Sequence, residues 1–362
     1  MFDDRSTTDQ EGGAATMSVP PPRPGLLRSL AHRLAGDADV LPVEGHLPSF
    51  DAATEWLNSE PLTPEALRGR VVLVDFWTYT CINWLRTLPY VRAWDAKYRD
   101  LGLTVVGVHT PEFGFEQDID NIVAQSRTFR VEYPIAVDSN YGVWEAFANH
   151  FWPAVYIADA EGRIRYHHFG EGEYPMQEMV VQQLLIEAGA DGVDQDLVSV
   201  EPAGFEVPAD WRTLRSPETY LAYGRSAGFA SPEHARFGTP HAYPEASHLG
   251  LNQWAPSGTW TLAQHAAMAN EPGGRIAFQF QARDVNLVMG PSVRGRPMRF
   301  RVLLDGNAPG GAHGLDVDQG GNGTLADQRL YQLIRQPGSI GERRFEIEFL
   351  DAGAEAYCFT FG

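Results

Sequence analysis

Cysteine is nearly absent from this chain, since its 362 residues contain only Cys81 and Cys358. Two thiols exclude the disulfide framework that stabilises small secreted domains. Basic residues are also few: 28 Lys and Arg stand against 47 Asp and Glu, and the net charge is −19. A chain this acidic is not expected to bind nucleic acid or an anionic membrane through its overall field.

Long apolar runs are missing as well. No stretch approaches the roughly 20 apolar residues that a membrane-spanning helix needs, so no membrane span is predicted. The first residues are acidic, include the proline-rich run 20–24, and lack the basic start and apolar stretch of a secretory signal. The sequence therefore predicts a cytoplasmic protein in which cellular reductants keep both thiols reduced.

Composition divides the chain into four segments. Residues 1–44 are rich in Pro, Gly, Ser and Asp and are expected to be disordered or loosely packed, with a marginal amphipathic helix around the leucines of 26–34. Residues 45–189 alternate strand and helix patterns, which predicts a mixed sheet covered by helices. Residues 190–210 are typical of a linker, and 211–362 carry short strands separated by Gly, Pro and Asn, which predicts a β-sandwich of jelly-roll type.

Periodicity gives the individual elements of the two predicted domains. In the first, strands are predicted at 71–77, 103–108, 133–137, 154–157 and 164–168, and helices at 85–99, 119–129, 143–148 and 176–188. In the second, strands are predicted at 275–280, 285–289, 298–304, 330–334, 344–349 and 356–361.

Cys81 lies where a buried strand gives way to a helix. Three residues separate it from the apolar run 71–77, and the segment after it has apolar residues at helical spacing. Free backbone N–H groups and the dipole at a helix N-terminus favour negative charge and so lower the pKa of a thiol. The sequence therefore predicts a nucleophilic thiolate at Cys81.

The run Val74-Asp75-Phe76-Trp77-x-x-x-Cys81 resembles the active-site entry of the thioredoxin superfamily. Pro89 lies eight residues after Cys81, where that family bends its first long helix, and Pro153 precedes a strand, as the family's cis-proline does. The extra strand and helix within 103–148 resemble the insertion of TlpA-like and redoxin members. The segment 78–86 is similar to the soluble part of DipZ-type proteins. In those proteins a thioredoxin-like domain precedes a domain that resembles a carbohydrate-binding module. The resemblance implies an α/β thioredoxin fold, an all-β sandwich domain and a thiol-dependent oxidoreductase.

The chain departs from the family motif at one position. Trp84 stands where the family has the second cysteine of Cys-x-x-Cys. Cys81 would then attack a disulfide and stop at a mixed disulfide, which an external thiol such as thioredoxin or a low-molecular-weight thiol must release. Cys358, which lies in an apolar strand of the other domain, is expected to be a small buried hydrophobic residue rather than a replacement thiol.

Peroxide reduction is the other chemistry open to a single thiol, with a sulfenic acid as its product. Thr78 lies three residues before Cys81, which is the spacing of the threonine in peroxiredoxins, whereas Val74 occupies the place of their proline. The resemblance to peroxidases is therefore partial. No cofactor and no metal is predicted for either reaction.

Several neighbours of the thiol are given two interpretations each. Asp75 is either a proton acceptor whose pKa burial raises or a structural carboxylate. Trp152 and Pro153 either present backbone to an extended substrate, as the resemblance implies, or Trp152 faces Trp84 and covers the thiol. Arg86 either stabilises the thiolate or is an exposed helix charge. Two further polar residues, His109 and Glu112, are expected to be structural.

The C-terminal domain supplies the alternative function. Its Asp- and Gly-rich run 316–323 suits a hairpin turn better than a calcium loop. Trp254, Trp260 and Tyr243 are expected to be sandwich core, with a sugar-stacking face as the alternative. The competing hypothesis is thus a redox-inactive thioredoxin-fold scaffold whose C-terminal domain binds a glycan or a protein.

Overall fold

The computed structural model describes residues 41–362. The predicted leucine-rich helix and nearly all of the predicted disordered segment lie outside these residues. Within 41–362, no helix combines the length and the apolar character needed to cross a membrane.

The first part of the described chain builds one seven-stranded sheet with helices packed on it. Its strands are β1 (Gly45–His46), β2 (Glu55–Leu57), β3 (Val71–Trp77), β4 (Leu103–His109), β5 (Ile135–Val137), β6 (Ala154–Ala158) and β7 (Arg163–Phe169). Its helices are α1 (Ile82–Tyr98), α2 (Ile119–Thr128), α3 (Gly142–Ala146) and α4 (Tyr174–Glu187). We call this part the thioredoxin-like unit.

Strand β3 lies at the centre of this sheet, in the order β1-β7-β6-β3-β4-β5-β2. It runs parallel to β4 and antiparallel to β6, and all its residues are buried. A strand that is buried on both faces needs a continuous apolar run, and Val71–Val74 supplies one. Because β3 ends at Trp77, Cys81 lies beside the edge of the sheet where the parallel strands end.

The remaining strands form the β-sandwich unit. They are β8 (Thr219–Tyr220), β9 (His241–Tyr243), β10 (Trp254–Leu262), β11 (Ala267–Ala269), β12 (Gly274–Phe280), β13 (Asp284–Pro291), β14 (Met298–Leu304), β15 (Asn322–Leu325), β16 (Arg329–Arg335), β17 (Arg343–Phe349) and β18 (Ala354–Phe361). The predicted α/β thioredoxin fold followed by an all-β sandwich is confirmed.

Strand β10 connects the two sheets of the sandwich. Its first residues pair with β12, whereas from Gly258 onward it pairs with β9 and β11. Gly258 has a φ of +86°, which is a conformation that glycine adopts without strain. Aromatic side chains from both sheets meet in the core; Phe278 and Phe359, for example, have ring centroids 5.1 Å apart.

The sandwich core contains the aromatic residues for which a sugar-binding face was the alternative. Trp254 and Trp260 are completely buried, and Tyr243 is buried beside them. A sugar cannot stack on rings without accessible faces, so the sugar-binding alternative is wrong for these three residues. The run 316–323 forms a turn in which the Gly321 N–H donates to the Asp318 carbonyl.

The two units pack directly on each other. Phe113 and Phe115, which follow β4, contact Tyr357 of β18 with ring centroids 5.4 and 4.9 Å apart. Buried residues on the outer face of the sandwich, including Tyr220 and Val288, belong to the same apolar cluster as the core of the thioredoxin-like unit. The candidate site therefore lies close to an interface between the units.

Candidate active site

Cys81 is the residue that immediately precedes helix α1. Its backbone is extended (φ −74°, ψ 110°), and its carbonyl accepts the first helical hydrogen bond, from Leu85, at 3.0 Å. Its sulfur lies 3.8 Å from the carbonyl oxygen of Trp152, and the Trp152–Pro153 peptide bond is cis. The sulfur thus lies between the start of a helix and the loop that leads into β6.

The surroundings of the sulfur oppose the resting thiolate that the sequence predicts. Burial raises the pKa of Cys81 well above its ordinary value, although the backbone N–H groups of Trp84 and Asn83 lower it. The carboxylates of Glu218 and Glu112 raise the pKa further. The side chain is 7% exposed, so desolvation outweighs the helix N-terminus.

Trp84 occupies the position of the missing second thiol and contacts Asp75. Its indole Nε1–H donates to Asp75 Oδ2 at 3.0 Å, and the Tyr133 hydroxyl donates to the same oxygen at 3.4 Å. Its ring stacks on Trp77 with centroids 4.3 Å apart. Burial raises the pKa of Asp75 to about 7, against the lowering effect of both hydrogen bonds.

A second buried carboxylate holds the backbone next to the thiol. Glu116 accepts the Thr80 hydroxyl at 2.7 Å and the N–H groups of Glu112 and Phe113 at 2.7 and 2.9 Å. Burial raises the pKa of Glu116 to about 7. This role of Glu116 cannot be predicted from the sequence, because nothing in its spacing distinguishes it from other acidic loop residues.

The side chains of Thr78 and His109 are buried, and among the described residues both ring nitrogens of His109 lack a hydrogen-bonding partner. The Thr78 carbonyl accepts a hydrogen bond from the Cys81 N–H at 3.2 Å, and the Thr78 side chain lowers the pKa of Glu116. Burial lowers the pKa of His109 to about 3, so its imidazole is neutral, and its ring lies edge-on to Trp77 at 4.7 Å. The structural role of His109 stays a prediction.

Trp152 packs away from Trp84. Its ring contacts Trp144 with centroids 4.3 Å apart, and its Nε1–H donates to the Thr110 carbonyl at 3.1 Å. The part of Trp152 that reaches the Cys81 sulfur is its backbone carbonyl.

Arg86 is a buried residue of the interface between the units. Its guanidinium pairs with Glu171 at 3.2 Å and donates to the carbonyl of Phe361, in the last strand, at 3.2 Å. The interpretation of Arg86 as an exposed helix charge is therefore wrong. Its hydrogen bond to Phe361 connects helix α1 to the β-sandwich unit, whereas Glu171 lies between β7 and α4 of the thioredoxin-like unit.

A polar cluster on the same interface contains the two carboxylates that act on Cys81. Glu112 accepts hydrogen bonds from the hydroxyl of Tyr220 and from Arg225 Nη1, the latter at 3.1 Å. The same Tyr220 hydroxyl lies 3.2 Å from Glu218 Oε2. Burial and the neighbouring Glu112 raise the pKa of Glu218. Glu112 thus has a role at the interface that the sequence did not indicate.

Within 41–362, no group of three or more His, Cys, Asp or Glu side chains is arranged to hold a metal ion. The site as described consists of one buried thiol, the backbone of a cis X-Pro loop and nearby buried carboxylates.

A central parallel strand pair, a thiol at the start of the following helix and a cis X-Pro loop opposite define a protein with a thioredoxin fold. Comparisons with known proteins agree. The family described as "Thioredoxin like C-terminal domain" matches residues 216–362. Thiol-disulfide oxidoreductase YkuV of Bacillus subtilis is 30% identical over 141 residues, which are 39% of this chain and 95% of YkuV. The chain belongs to the thioredoxin-like thiol-disulfide oxidoreductase family.

Protein DipZ of Mycobacterium bovis is 37% identical over 256 residues, which cover 68% of this chain and 35% of DipZ. The chain thus spans about a third of the length of that relative. Among solved structures, a thioredoxin-like protein in its oxidised form is 32% identical with a TM-score of 0.37, over 40% of this chain and 97% of that one.

Proposed function

We propose that the protein is a monothiol thiol-disulfide oxidoreductase in which Cys81 is the nucleophile. The observation that carries this proposal is the position of the Cys81 sulfur. It lies at the first turn of α1, near the N–H groups of Asn83 and Trp84, and 3.8 Å from the backbone of the cis Trp152–Pro153 loop. An extended substrate that pairs with this backbone would bring its disulfide to the sulfur.

The reaction has two exchange steps. The Cys81 thiolate attacks a disulfide R–S–S–R′, a Cys81–S–S–R bond forms, and R′–S⁻ leaves and takes up a proton. An external thiol then attacks the mixed disulfide as its thiolate, forms a new disulfide with R, and releases Cys81. Asp75 is proposed as a proton acceptor because its pKa of about 7 lets it exchange a proton near neutral pH.

Activation of the thiol requires the interface above it to open. In the closed arrangement burial keeps the sulfur protonated. When water reaches the sulfur, the desolvation that raises its pKa is relieved, whereas the N–H groups of Asn83 and Trp84 remain in place. The reactive state is therefore a hydrated one, in which the β-sandwich unit has moved away from Cys81. A reducing compartment suits two free thiols, and the cytoplasm stays our prediction.

The test is turnover of a small disulfide by the full chain. Hydroxyethyl disulfide is supplied with glutathione as the external thiol, and wild type is compared with Cys81→Ser. We expect turnover with wild type and a mixed disulfide on Cys81 when glutathione is withheld. Equal rates for wild type and Cys81→Ser, with no adduct on Cys81, would exclude the proposal. A parallel assay with hydrogen peroxide detects sulfenic acid, which is the product of the alternative peroxidase chemistry.

The burial of Cys81 favours one other candidate, a redox-inactive scaffold. In that role the thioredoxin-like unit would serve to present the β-sandwich unit to a protein or glycan partner. Trp84 supports this candidate because it satisfies Asp75 with a hydrogen bond in the absence of a second thiol. The same turnover assay separates the two candidates, because a scaffold leaves Cys81 unmodified by the disulfide.

A further inference from the structure

Strand β18 contains a bulge that reverses the direction in which Cys358 points. On its partner β13, Val288 faces Cys358 but the next residue, Met289, faces Ala356, so Tyr357 is an extra residue. A bulge of this kind shifts the alternation of side chains by one position. Accordingly Ala356 and Phe359 lie in the sandwich core, whereas Tyr357 and Cys358 both belong to the apolar cluster of the thioredoxin-like unit.

Two contacts place this part of β18 alongside the segment that carries Cys81. At one end, Tyr357 packs on Phe115, which also contacts Tyr79, two residues before Cys81. At the other end, the Phe361 carbonyl accepts a hydrogen bond from Arg86, five residues after Cys81.

Each of the two segments runs from an aromatic contact to the hydrogen bond between Arg86 and Phe361. In the segment that carries Cys81, residues 78–81 form a turn in which the Cys81 N–H donates to the Thr78 carbonyl at 3.2 Å, and helix α1 follows. Each cysteine lies near the same end of its segment, one residue after Tyr357 and two after Tyr79. The topology therefore brings the two sulfurs to the same part of the interface.

The electrostatic environment of the two thiols is also shared. Glu218 and Glu112 raise the pKa of both Cys81 and Cys358, after burial as the main cause in each case. Tyr220, whose hydroxyl is hydrogen-bonded to Glu112 and lies 3.2 Å from Glu218 Oε2, is paired with Cys358 across β8 and β18. The Cys358 thiol itself donates to the Phe359 carbonyl at 3.4 Å.

We propose that Cys358 is the resolving thiol of this site and that it forms a disulfide with Cys81 across the interface. The inference rests on the proposed function, because a mixed disulfide at Cys81 must form first; Cys358 then takes the place of the external thiol in the second exchange step. Cys358 passes its proton to Glu218 and attacks the Cys81 sulfur of Cys81–S–S–R. The Cys81–Cys358 bond forms, and R–S⁻ leaves and is protonated. The net change is reduction of R–S–S–R′ to two thiols and oxidation of the two cysteines, which an external dithiol later reduces.

The test is the stoichiometry of the reaction with 4,4′-dithiodipyridine, a small disulfide whose reduced form absorbs light. In the reduced wild-type full chain we expect two pyridinethiones released per protein and none retained. Cys358→Ser should release one and retain one on Cys81. Mass spectrometry of digested wild type should show the peptides of Cys81 and Cys358 linked, a result that requires no variant to fold.

Different failures point to different conclusions. A retained adduct on Cys81 in both wild type and Cys358→Ser, with no linked peptides, would overturn the resolving role and leave the proposed function intact. No adduct at Cys81 in either protein would overturn the proposed function itself. Links only between separate chains, seen as dimers on non-reducing gels, would also overturn the inference. Because a disulfide requires Cα atoms about 4.4–6.8 Å apart, the linked peptide directly measures the approach of β18 to α1.

Discussion

The indole Nε1–H of Trp84 donates a hydrogen bond of 3.0 Å to Asp75 Oδ2, at the position where thioredoxin-like proteins carry their second thiol. This contact lowers the pKa of a carboxyl that burial raises to about 7. Trp84 is therefore part of the electrostatics of the site as well as of its packing against Trp77.

Replacing Trp84 by Phe should raise the pKa of Asp75 further, because the ring is kept and the donor is lost. A hydrogen bond to a charged group is worth about 1.5–3 kcal/mol, so the loss of stability should appear mainly above the pKa, where Asp75 is ionised. Carboxyl NMR titration and urea unfolding at several pH values measure both effects. Trp94→Phe is the matched control, since Trp94 on the same helix donates to Glu178 at 3.1 Å. An unchanged Asp75 titration in Trp84→Phe would contradict the prediction.

Asp75 should make the stability of the protein fall as the pH rises. Its pKa is about 7 in the folded protein and about 3.9 when unfolded, so between these values the folded state binds the extra proton. The contribution of Asp75 to stability is therefore complete below about pH 4 and is lost as the pH rises to 7. At about 1.36 kcal/mol per pKa unit, this contribution is at most about 4 kcal/mol. Asp75→Asn should remove this part of the pH dependence of the free energy of unfolding. The variant should also be more stable than wild type at pH 8.

Urea unfolding of both proteins across this pH range measures the difference. Glu116, whose pKa is also about 7, contributes to the same window in both proteins and so cancels in the comparison. Parallel stability curves for wild type and Asp75→Asn would show that Asp75 is not a titrating group of the folded state.

The sequence predicted the centre of the site and missed its surroundings, for physical reasons. The run Val71–Trp77 followed by Cys81 is a local pattern, and local patterns determine a buried strand and the helix that follows it. The contacts of Glu112 with Tyr220 and Arg225 join residues more than 100 positions apart. Neither the charges of these residues nor their spacing in the sequence indicates the contacts. Burial by such tertiary contacts raises the pKa of Cys81, and its position at the helix N-terminus gives no sign of this effect.

The sequence pattern did not predict strand β10 and did not indicate the bulge in β18. β10 was missed because Pro256 and Gly258 interrupt it, yet Pro256 pairs with Ile276 and Gly258 is the point where β10 changes sheets. β18 was found, but plain alternation gives no sign of the extra residue at Tyr357. The side of the sandwich on which Cys358 lies could therefore be known only from the structure.

Removing the charge of Glu218 should make Cys81 more reactive. Its carboxylate raises the pKa of Cys81, so Glu218→Gln should increase the thiolate fraction. Because burial and Glu112 raise the pKa of Glu218 itself, the effect should appear on the alkaline side, where Glu218 is ionised. We expect iodoacetamide to alkylate Cys81 about three- to tenfold faster there, which corresponds to about 0.7–1.4 kcal/mol. Glu65→Gln, at an exposed carboxylate, is the control. Equal alkylation rates in all three proteins would refute the electrostatic role of Glu218.

Arg86→Met should destabilise the protein strongly, because it leaves Glu171 buried without its partner. Breaking one side of a buried ion pair costs about 3–5 kcal/mol. The double variant Arg86→Met with Glu171→Gln should recover much of this loss, since no buried charge remains. Arg299→Met, at an exposed pair with Asp351, should cost only about 0–1 kcal/mol.

Arg86 also holds the end of β18 through the Phe361 carbonyl, which the double variant does not restore. The double variant should therefore regain stability in urea and still expose Cys81 to iodoacetamide faster than wild type, because the interface above the sulfur opens more often. Recovery of both stability and slow alkylation would show that the contact with Phe361 does not control access. No recovery of stability would show that the charge of Glu171 is not the cause of the loss.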